Sequence, residues 1–295
     1  MSGTTLRTRD LTHLHVVITR FNVGLDATTS SGEAWLRNRL DLFERFTLPS
    51  MASQTVPCDA WLIFCDDGAG SPDWFLKEFE QLLGSAGSVA KIVLEPTFDW
   101  SHIAPHVKDL LPEECILLTT RIDNDDAIAR DYFESIRAAV RGRREFINFS
   151  VGVQYADGRV YRRPDPYNPF ITLVESIDSA AMPDTVWKVR HDRAFDLADV
   201  RQVRAAPMWL ANIHGGNLAQ EVMGLRWPAT KVLTRFDIAS QPTSQKLAST
   251  LRDAVHSWTR IIARTLSSPA RWRRVLALAL GRRQSRVSDA NSTRV

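Results

Sequence analysis

Four short apolar runs alternate with helical patterns over the first 140 residues, and this alternation constrains the fold more than any other feature of the sequence. The runs are rich in β-branched and aromatic residues and have the length of buried strands; they cover 14–19, 60–65, 89–94 and 115–119. Strands that alternate with helices form an open, mostly parallel sheet with helices on its faces. The first part of the chain is therefore predicted to be an α/β domain.

The first helix has a recognisable beginning. Ser30 and Glu33 have the spacing of a capping box and predict a helix that runs to about Phe46, before Pro49. Apolar residues at helical spacing, together with terminal Pro and Gly signals, predict further helices over 71–84, 103–111 and 128–139.

The second half of the chain has a different pattern. Apolar and polar residues alternate over 147–155, and Asp157-Gly158 is a hairpin turn signal. Further strands are predicted over 171–174 and 207–213, and the latter leads to His214. We therefore expect an antiparallel second half within one domain over residues 1–240. A basic helical extension, partly disordered, is expected over 241–295.

Composition indicates a soluble protein of the cytoplasm. The hydrophobic content of 44% is enough for a sizeable core. No apolar run has the length of a signal-peptide core or of a membrane-spanning helix. The three cysteines match neither a disulfide framework nor a zinc pattern, so we expect them to be reduced.

Positive charge is concentrated in the tail. The whole chain has a formal charge of +3, but residues 251–295 contain ten Arg and two Asp, a balance of +8, which leaves −5 for residues 1–250. Arginines interleaved with Trp258, Trp272 and the apolar run 275–280 are typical of a segment on an anionic membrane surface. A partner protein, or packing on the domain, is the alternative. The acidic body does not fit nucleic-acid binding.

An acidic run follows the fourth predicted strand, and its residues are Asp123-Asn124-Asp125-Asp126. Carboxylates delivered to a loop in this way can hold Mn²⁺ or Mg²⁺ against the diphosphate that leaves a nucleotide-sugar donor. Asp125 is the best candidate for a direct metal ligand, and Asp123 is a second candidate at the metal, where it would bind a metal-bound water or the ribose. Arg121 adds positive charge near the phosphates. The alternative is that Asp125 or Asp126 only caps a helix that starts near Ala127.

Other polar residues follow predicted strands and join the candidate site. His214 is a candidate third metal ligand, with a surface turn as the alternative. Asp66 and Asp67 are candidates for contacts with the nucleotide base or ribose, although Asp-Asp-Gly is also ordinary turn chemistry. Arg20, followed by Asn22, is a candidate for phosphate or base contact, with a surface ion pair as the alternative.

Inverting sugar transfer needs a carboxylate that accepts the proton of the acceptor hydroxyl. Asp192 is our candidate for this base, and Glu175 and Glu221 are its rivals. A solvated surface carboxylate is the alternative for each of the three.

Several blocks of the chain resemble a bacterial family named "putative rhamnosyltransferases", a branch of the GT-A glycosyltransferases. The resemblance spans about residues 12–235, and its most specific part is the run 121–126; the other blocks are 19–22, 35–54, 61–66 and 209–215. It implies a GT-A fold and hexosyl transfer of rhamnose or another sugar from a nucleotide diphosphate. It also implies a cell-envelope glycan or lipid-linked acceptor, which the enzyme would meet at the inner face of the membrane. The tail lies outside the resemblance.

Two other functions remain as alternatives. A metal-dependent phosphohydrolase also uses an Asp-x-Asp loop, but such folds place it after the first strand, where this chain has Arg20-Phe21-Asn22. A protein that binds nucleotide sugars without turnover is the other alternative, against which the intact Asp123, Asp125 and His214 argue.

Overall fold

The computed structural model describes residues 12–25, 27–84, 89–214, 222–239 and 259. The strands in these residues are β1 His13–Arg20, β2 Ala60–Asp66, β3 Ala90–Glu95, β4 Glu114–Arg121, β5 Ala127–Ile128, β6 Glu145–Phe149, β7 Val151–Ala156, β8 Arg159–Pro164, β9 Ile171–Asp178, β10 Val200–Val203, β11 Trp209–Asn212 and β12 Leu225–Trp227. The helices are α1 Ser30–Leu42, α2 Leu48–Ala52, α3 Asp73–Leu83, α4 Trp100–Lys108, α5 Tyr132–Ala139 and α6 Ala229–Leu233. A π-helical turn, Phe43–Thr47, joins α1 to α2, and a 3₁₀ helix spans His191–Asp196.

The main sheet has seven strands in the order β10-β6-β9-β4-β1-β2-β3. β4, β1, β2 and β3 are parallel to one another, whereas β9 runs antiparallel to both β4 and β6. All four apolar runs form the parallel strands. The predicted α/β, GT-A-like architecture is therefore confirmed, and its antiparallel part begins with the second half of the chain.

The inner strands β1, β2 and β4 are buried on both faces, which explains why the runs that form them are largely apolar. Val17 and Trp61 face one hydrophobic core, which includes residues of α1, α3 and α5. Ile18 and Leu117 face a second core, which includes residues of α4. The alternation of side chains along each strand thus supplies two cores from one sheet.

The second sheet has five strands in the order β12-β8-β7-β11-β5. β7 and β8 form the predicted hairpin, in which Asp157 and Gly158 have φ angles of 49° and 73°. Two consecutive positive φ angles are typical of the tight turns that match strand twist. β5 pairs with β11 in this sheet, so the segment between β4 and β5 crosses from one sheet to the other.

The helices differ from the sequence predictions at their ends. α1 ends at Leu42, and the chain continues through the π-helical turn and past Pro49, which stands in the first turn of α2. Proline is tolerated there because the first-turn amides need no helical partner. α4 begins earlier than predicted because Asp99 caps it by accepting from the amides of Ser101 and His102.

The expected extension over 241–295, apart from Thr259, lies outside the described residues, and so do Trp258, Trp272 and the run 275–280. Within the described part of the chain, no helix combines the length and apolar character that crossing a bilayer requires.

Candidate functional site

Side chains predicted to act on a ligand follow the ends of the parallel strands. β1, β2 and β4 end at Arg20, Asp66 and Arg121. Arg20 lies opposite Phe64, and Ile18 lies opposite Arg121, so the three ends lie along one edge of the sheet. Ligands of open α/β sheets bind at this edge.

The acidic loop, residues 122–126, is held by both sheets and by the helical segment between them. Asn124 donates from Nδ2 to the carbonyl of Phe21 at 2.9 Å. Asp126 accepts at Oδ1 from the amide of Asn212, at the end of β11, also at 2.9 Å. The hydroxyl of Thr47, in the π-helical turn, donates to the carbonyl of Asp126 at 2.8 Å. The loop is therefore a fixed bridge between the sheets.

The helix-cap interpretation of the acidic loop is wrong. β5 follows Asp126 directly, and α5 begins only at Tyr132. The pairing of Ala127 with Leu210 of β11 overrides the helical spacing of the apolar residues that begins at Ile128. The carboxylates of the loop are thus free of any role at a helix N-terminus.

Asp125 and His214, which are 89 residues apart in the chain, meet at the site. Nε2 of His214 lies 2.9 Å from Oδ2 of Asp125. The same oxygen accepts from Nη1 of Arg39, on α1, at 2.5 Å. The side chain of Asp125 is 9% exposed and that of His214 is 17% exposed. The imidazole of His214 and the guanidinium of Arg39 therefore both contact one nearly buried oxygen of the Asp125 carboxylate.

Asp123 faces a different partner. Nε and Nη2 of Arg121 donate to its two oxygens at 3.0 and 2.9 Å. Burial opposes ionisation of Asp123, but the positive charge and hydrogen bonds of Arg121 outweigh it and hold the pKa of the carboxyl below its usual value. Asp123 is thus a bound carboxylate at neutral pH.

Arg121 also contacts His191 and Trp187. Its guanidinium lies over the Trp187 ring at 4.2 Å, and its Nη1 lies 3.1 Å from Nδ1 of His191. A guanidinium only donates, so Nδ1 accepts and the ring proton is on Nε2. Burial and the charge of Arg121 lower the pKa of His191, which keeps the imidazole neutral.

Asp126 differs electrostatically from its neighbours. Burial raises the pKa of its carboxyl well above the usual value, and the charges of Asp125 and Asp123 raise it further. The hydrogen bond from the Asn212 amide opposes this effect without cancelling it. Like charges so close together cannot all be ionised cheaply, so the buried carboxyl of Asp126 resists losing its proton.

Asp66 and Asn22 are engaged within the protein. Oδ1 of Asp66 accepts from the amides of Gly68 and Gly70, both at 3.0 Å, and Oδ2 accepts from the amide of Gly24 at 2.9 Å. Asn22 donates to the Gly70 carbonyl at 2.5 Å. These two side chains therefore hold the loops that follow β1 and β2.

Arg20 and Asp67 extend towards solvent from those loops. Both are exposed, and Arg20 donates to the carbonyl of Val23 at 2.8 Å while its guanidinium lies 5.6 Å from the centre of the Phe98 ring. Their positions at the ends of β1 and β2 leave them accessible to a ligand at the sheet edge.

The candidate bases lie in different places. Asp192 is 44% exposed and accepts from Nε and Nη2 of Arg190 at 3.1 and 3.2 Å, and these hydrogen bonds lower the pKa of its carboxyl. Asp192 follows His191, the partner of Arg121. Glu175 lies opposite Leu117, which stands four residues before Arg121 at the end of β4. Glu175 is therefore about 13 Å from the edge at which β1, β2 and β4 end. Glu221 lies outside the described residues.

Two of the three predicted metal ligands meet in this arrangement. Two ligands about 2.1 Å from one ion and at a right angle lie about 3.0 Å apart, close to the 2.9 Å between Asp125 and His214. Asp123 is bonded to Arg121 instead, and in the described part of the chain no three His, Cys, Asp or Glu side chains are grouped for a metal ion. The pair still fits Mg²⁺ or Mn²⁺, which proteins often hold by one or two side chains and substrate phosphates.

Arg39, His191 and Trp187 belong to the site but were not predicted from the sequence. Arg39 had a readable signal, because it stands three residues after Leu36 and four before Phe43 on the buried face of α1. A charge on that face needs a buried partner. His191 and Trp187 lie in an irregular segment and had no such signal.

No curated protein is significantly similar to the chain. Among solved structures, S. aureus TarS 1–349 is 12% identical, with 68% of this chain and 60% of that chain covered and a TM-score of 0.38. The structure of the same protein in complex with UDP is 11% identical, with 94% of this chain and 76% of that chain covered and a TM-score of 0.40. A 4-diphosphocytidyl-2C-methyl-D-erythritol synthase from Anaerococcus prevotii is 10% identical, with 82% of this chain and 95% of that chain covered and a TM-score of 0.32.

Likenesses this distant do not identify a donor or an acceptor, and the chain spans only 60% of the first of these structures. The family comparison is more informative. A family model described as "Putative rhamnosyl transferase" matches residues 27–226, which include the acidic loop and β11. Since the match covers more than half of the chain, the protein belongs to this family of glycosyltransferases.

Proposed function

We propose that the protein transfers a sugar, rhamnose being the first candidate, from a nucleotide diphosphate to a cell-envelope glycan or glycolipid, with the help of a divalent metal ion. The observation that carries this proposal is the meeting of Asp125 and His214 beside the Arg121–Asp123 pair. Family membership supports the reaction class. Contact between the basic tail and an anionic membrane surface, at the inner face of the cell membrane, stays a prediction.

Asp125 and His214 would hold Mn²⁺ or Mg²⁺, which when bound neutralises the charge that gathers on the departing diphosphate. Arg121 is fixed by Asp123 and Trp187, so its remaining N–H groups can be directed at phosphate oxygens without reorganisation. Asp123 stays ionised and can accept from a ribose hydroxyl or a metal-bound water. The residues that follow β4 would thus bind the diphosphate of the donor.

The nucleoside would lie towards β1 and β2. Arg20 and Asp67 are exposed there, so they can donate to phosphate and accept from a base. Asp66 and Asn22 support this side of the site by holding its loops, since their polar atoms bond to neighbouring backbone groups. We therefore assign direct base contact to Asp67 and loop support to Asp66 and Asn22.

Asp192 would accept the proton of the acceptor hydroxyl. Its carboxyl is ionised at neutral pH, so it can accept a proton, although the hydrogen bonds from Arg190 to both oxygens lower its pKa and make it a weaker base than an unpaired carboxylate. The contact between its neighbour His191 and Arg121 supports a role for Asp192 next to the proposed phosphate-binding groups.

The test is a thermal-shift screen of the full chain with UDP, GDP, TDP and CDP sugars, with and without Mn²⁺. Binding to the folded state should raise the unfolding temperature with one nucleotide, and only when the ion is present. Asp125→Asn should remove this shift, whereas Asp73→Asn, an exposed carboxylate at the start of α3, should retain it.

Turnover is then measured with the donor so identified. Asp192→Asn should lower kcat by about 10²-fold or more while donor binding is unchanged. Release of a nucleoside monophosphate and a sugar 1-phosphate, without sugar transfer, would favour a phosphohydrolase, and binding without turnover would favour a nucleotide-sugar-binding protein. No shift with any donor would refute the proposed function.

A further inference from the structure

A buried arginine reaches the acidic loop from α1. The side chain of Arg39 is 10% exposed, and its guanidinium lies 4.9 Å from the centre of the Trp35 ring. Removing a cation from water is unfavourable unless opposite charge and hydrogen bonds compensate. The position of Arg39 therefore depends on its polar partners in the loop.

One nitrogen of Arg39 bridges two consecutive loop residues. Nη1 donates to Oδ2 of Asp125 at 2.5 Å and to Oδ1 of Asn124 at 3.3 Å. Asn124 is fixed in turn by its bond to the Phe21 carbonyl after β1. The orientation of the Asp125 carboxylate is thus set by α1 and β1, and not only by the loop itself.

The charge of Arg39 also offsets repulsion within the loop. Asp123 and Asp125 are carboxylates two residues apart in one short loop, and like charges this close repel each other. Arg39 supplies the positive charge on the side of α1, while Arg121 supplies it at Asp123. A carboxylate that is ordered before an ion arrives loses less freedom on binding it.

We propose that Arg39 is the positioning residue of the cation site. Its guanidinium holds the Asp125 carboxylate next to His214, so that a divalent ion meets two ligands already in place. This inference rests on the proposed role of Asp125 and His214 as ligands. Partners that orient ligating side chains typically change metal affinity 10–100-fold when removed, although they do not touch the ion.

The experiment measures Mn²⁺ affinity of the full chain by electron paramagnetic resonance, with unfolding in EDTA recorded for every variant. Arg39→Met should weaken Mn²⁺ binding by about 10–100-fold. Arg39→Lys should recover part of the loss, because it retains the charge but not the planar fork. Arg37→Met is the matched control: Arg37 is on the same helix, 54% exposed and paired with Glu33, and its change should leave affinity unaltered.

The outcomes separate the two proposals. If the wild-type chain binds no divalent ion, the metal site fails and the role of Arg39 fails with it. If wild type binds Mn²⁺ and folded Arg39→Met binds it equally well or more tightly, only the role of Arg39 is overturned. Should Arg39→Met not fold, Arg39→Gln decides, because it can still donate a hydrogen bond but has no charge; unaltered affinity there overturns the inference.

Discussion

Replacing Gly152 by alanine tests how the second sheet is held together. Gly152 is the second residue of β7, and a Cβ added to it would lie 2.0 Å from Cδ2 of Trp209 and 2.3 Å from Cε2 and Cε3. Carbon atoms in contact are about 3.5–4.0 Å apart, so the ring would have to move by roughly 1.5 Å. Trp209 begins β11, and its displacement would disturb the pairing of β11 with β7.

The indole has little room to move. It is 1% exposed, its Nε1 donates to the Phe149 carbonyl at 2.8 Å, and it stacks on Phe170 at 5.3 Å. Losing that hydrogen bond costs about 1 kcal/mol, losing the aromatic contact about 1 kcal/mol, and overpacking about 1–3 kcal/mol. We therefore expect Gly152→Ala to lower the free energy of unfolding by roughly 3–5 kcal/mol.

Urea unfolding followed by circular dichroism measures this change, and a thermal scan should show a Tm lower by about 10–15 °C. Gly84→Ala is the matched control, because no heavy atom lies within 4 Å of its added Cβ and its backbone is helical. That variant should be neutral or more stable by up to about 1 kcal/mol. If Gly152→Ala unfolds within about 0.5 kcal/mol of wild type at the same m-value, the packing of β7 against β11 has been misjudged.

Two further predictions concern single titratable groups. Asp66→Asn should lower the free energy of unfolding by about 2–4 kcal/mol, because the carboxylate accepts hydrogen bonds from three backbone N–H groups. Asp67→Asn should change the free energy of unfolding by less than about 0.5 kcal/mol and should weaken nucleotide binding instead. Urea unfolding measures the stability of each variant, and a nucleotide titration measures its binding. His15 is fully buried, and burial, with the charges of Arg137 and His13, lowers its pKa to about 3. Because this pKa lies below the unfolded value, the contribution of His15 to stability is complete above about pH 6.5 and is lost as pH falls towards about 3. As pH is lowered through this range, the free energy of unfolding should therefore decrease less steeply in His15→Gln than in the wild type. Equal slopes in the two proteins would refute this.

The position of the site was predictable because it follows from topology. Parallel strands place their carboxyl ends together, and the four apolar runs identified β1 to β4 in the sequence. Arg20, Asp66 and the acidic loop could then be assigned to one edge without any side-chain geometry. Local sequence also sufficed for the β7–β8 hairpin, because Asp157-Gly158 specifies its own turn.

Tertiary pairing decided what the sequence did not reveal. Ala127 and Ile128 fit a helix by spacing but form β5, since β11 offers them a strand edge. The roles within the acidic run also depend on partners elsewhere in the chain. Arg121 forms an ion pair with Asp123 and Arg39 forms one with Asp125, whereas burial raises the pKa of Asp126. Spacing alone treats these carboxylates as equivalent.

The distance between Asp125 and His214 depends on how the two sheets are held together. Asp125 follows a strand of the main sheet, whereas His214 follows β11 of the second sheet, and the bond from the Asn212 amide to Asp126 joins the two ends directly. β11 is seated in turn by Trp209 against the bare backbone of Gly152. A shift of about 1 Å in β11 would move the two candidate ligands to about 3.9 Å apart, beyond hydrogen-bond reach and beyond the roughly 3.0 Å that separates two ligands at a right angle on one ion. The geometry of the two candidate ligands therefore depends on a glycine and a tryptophan of the second sheet.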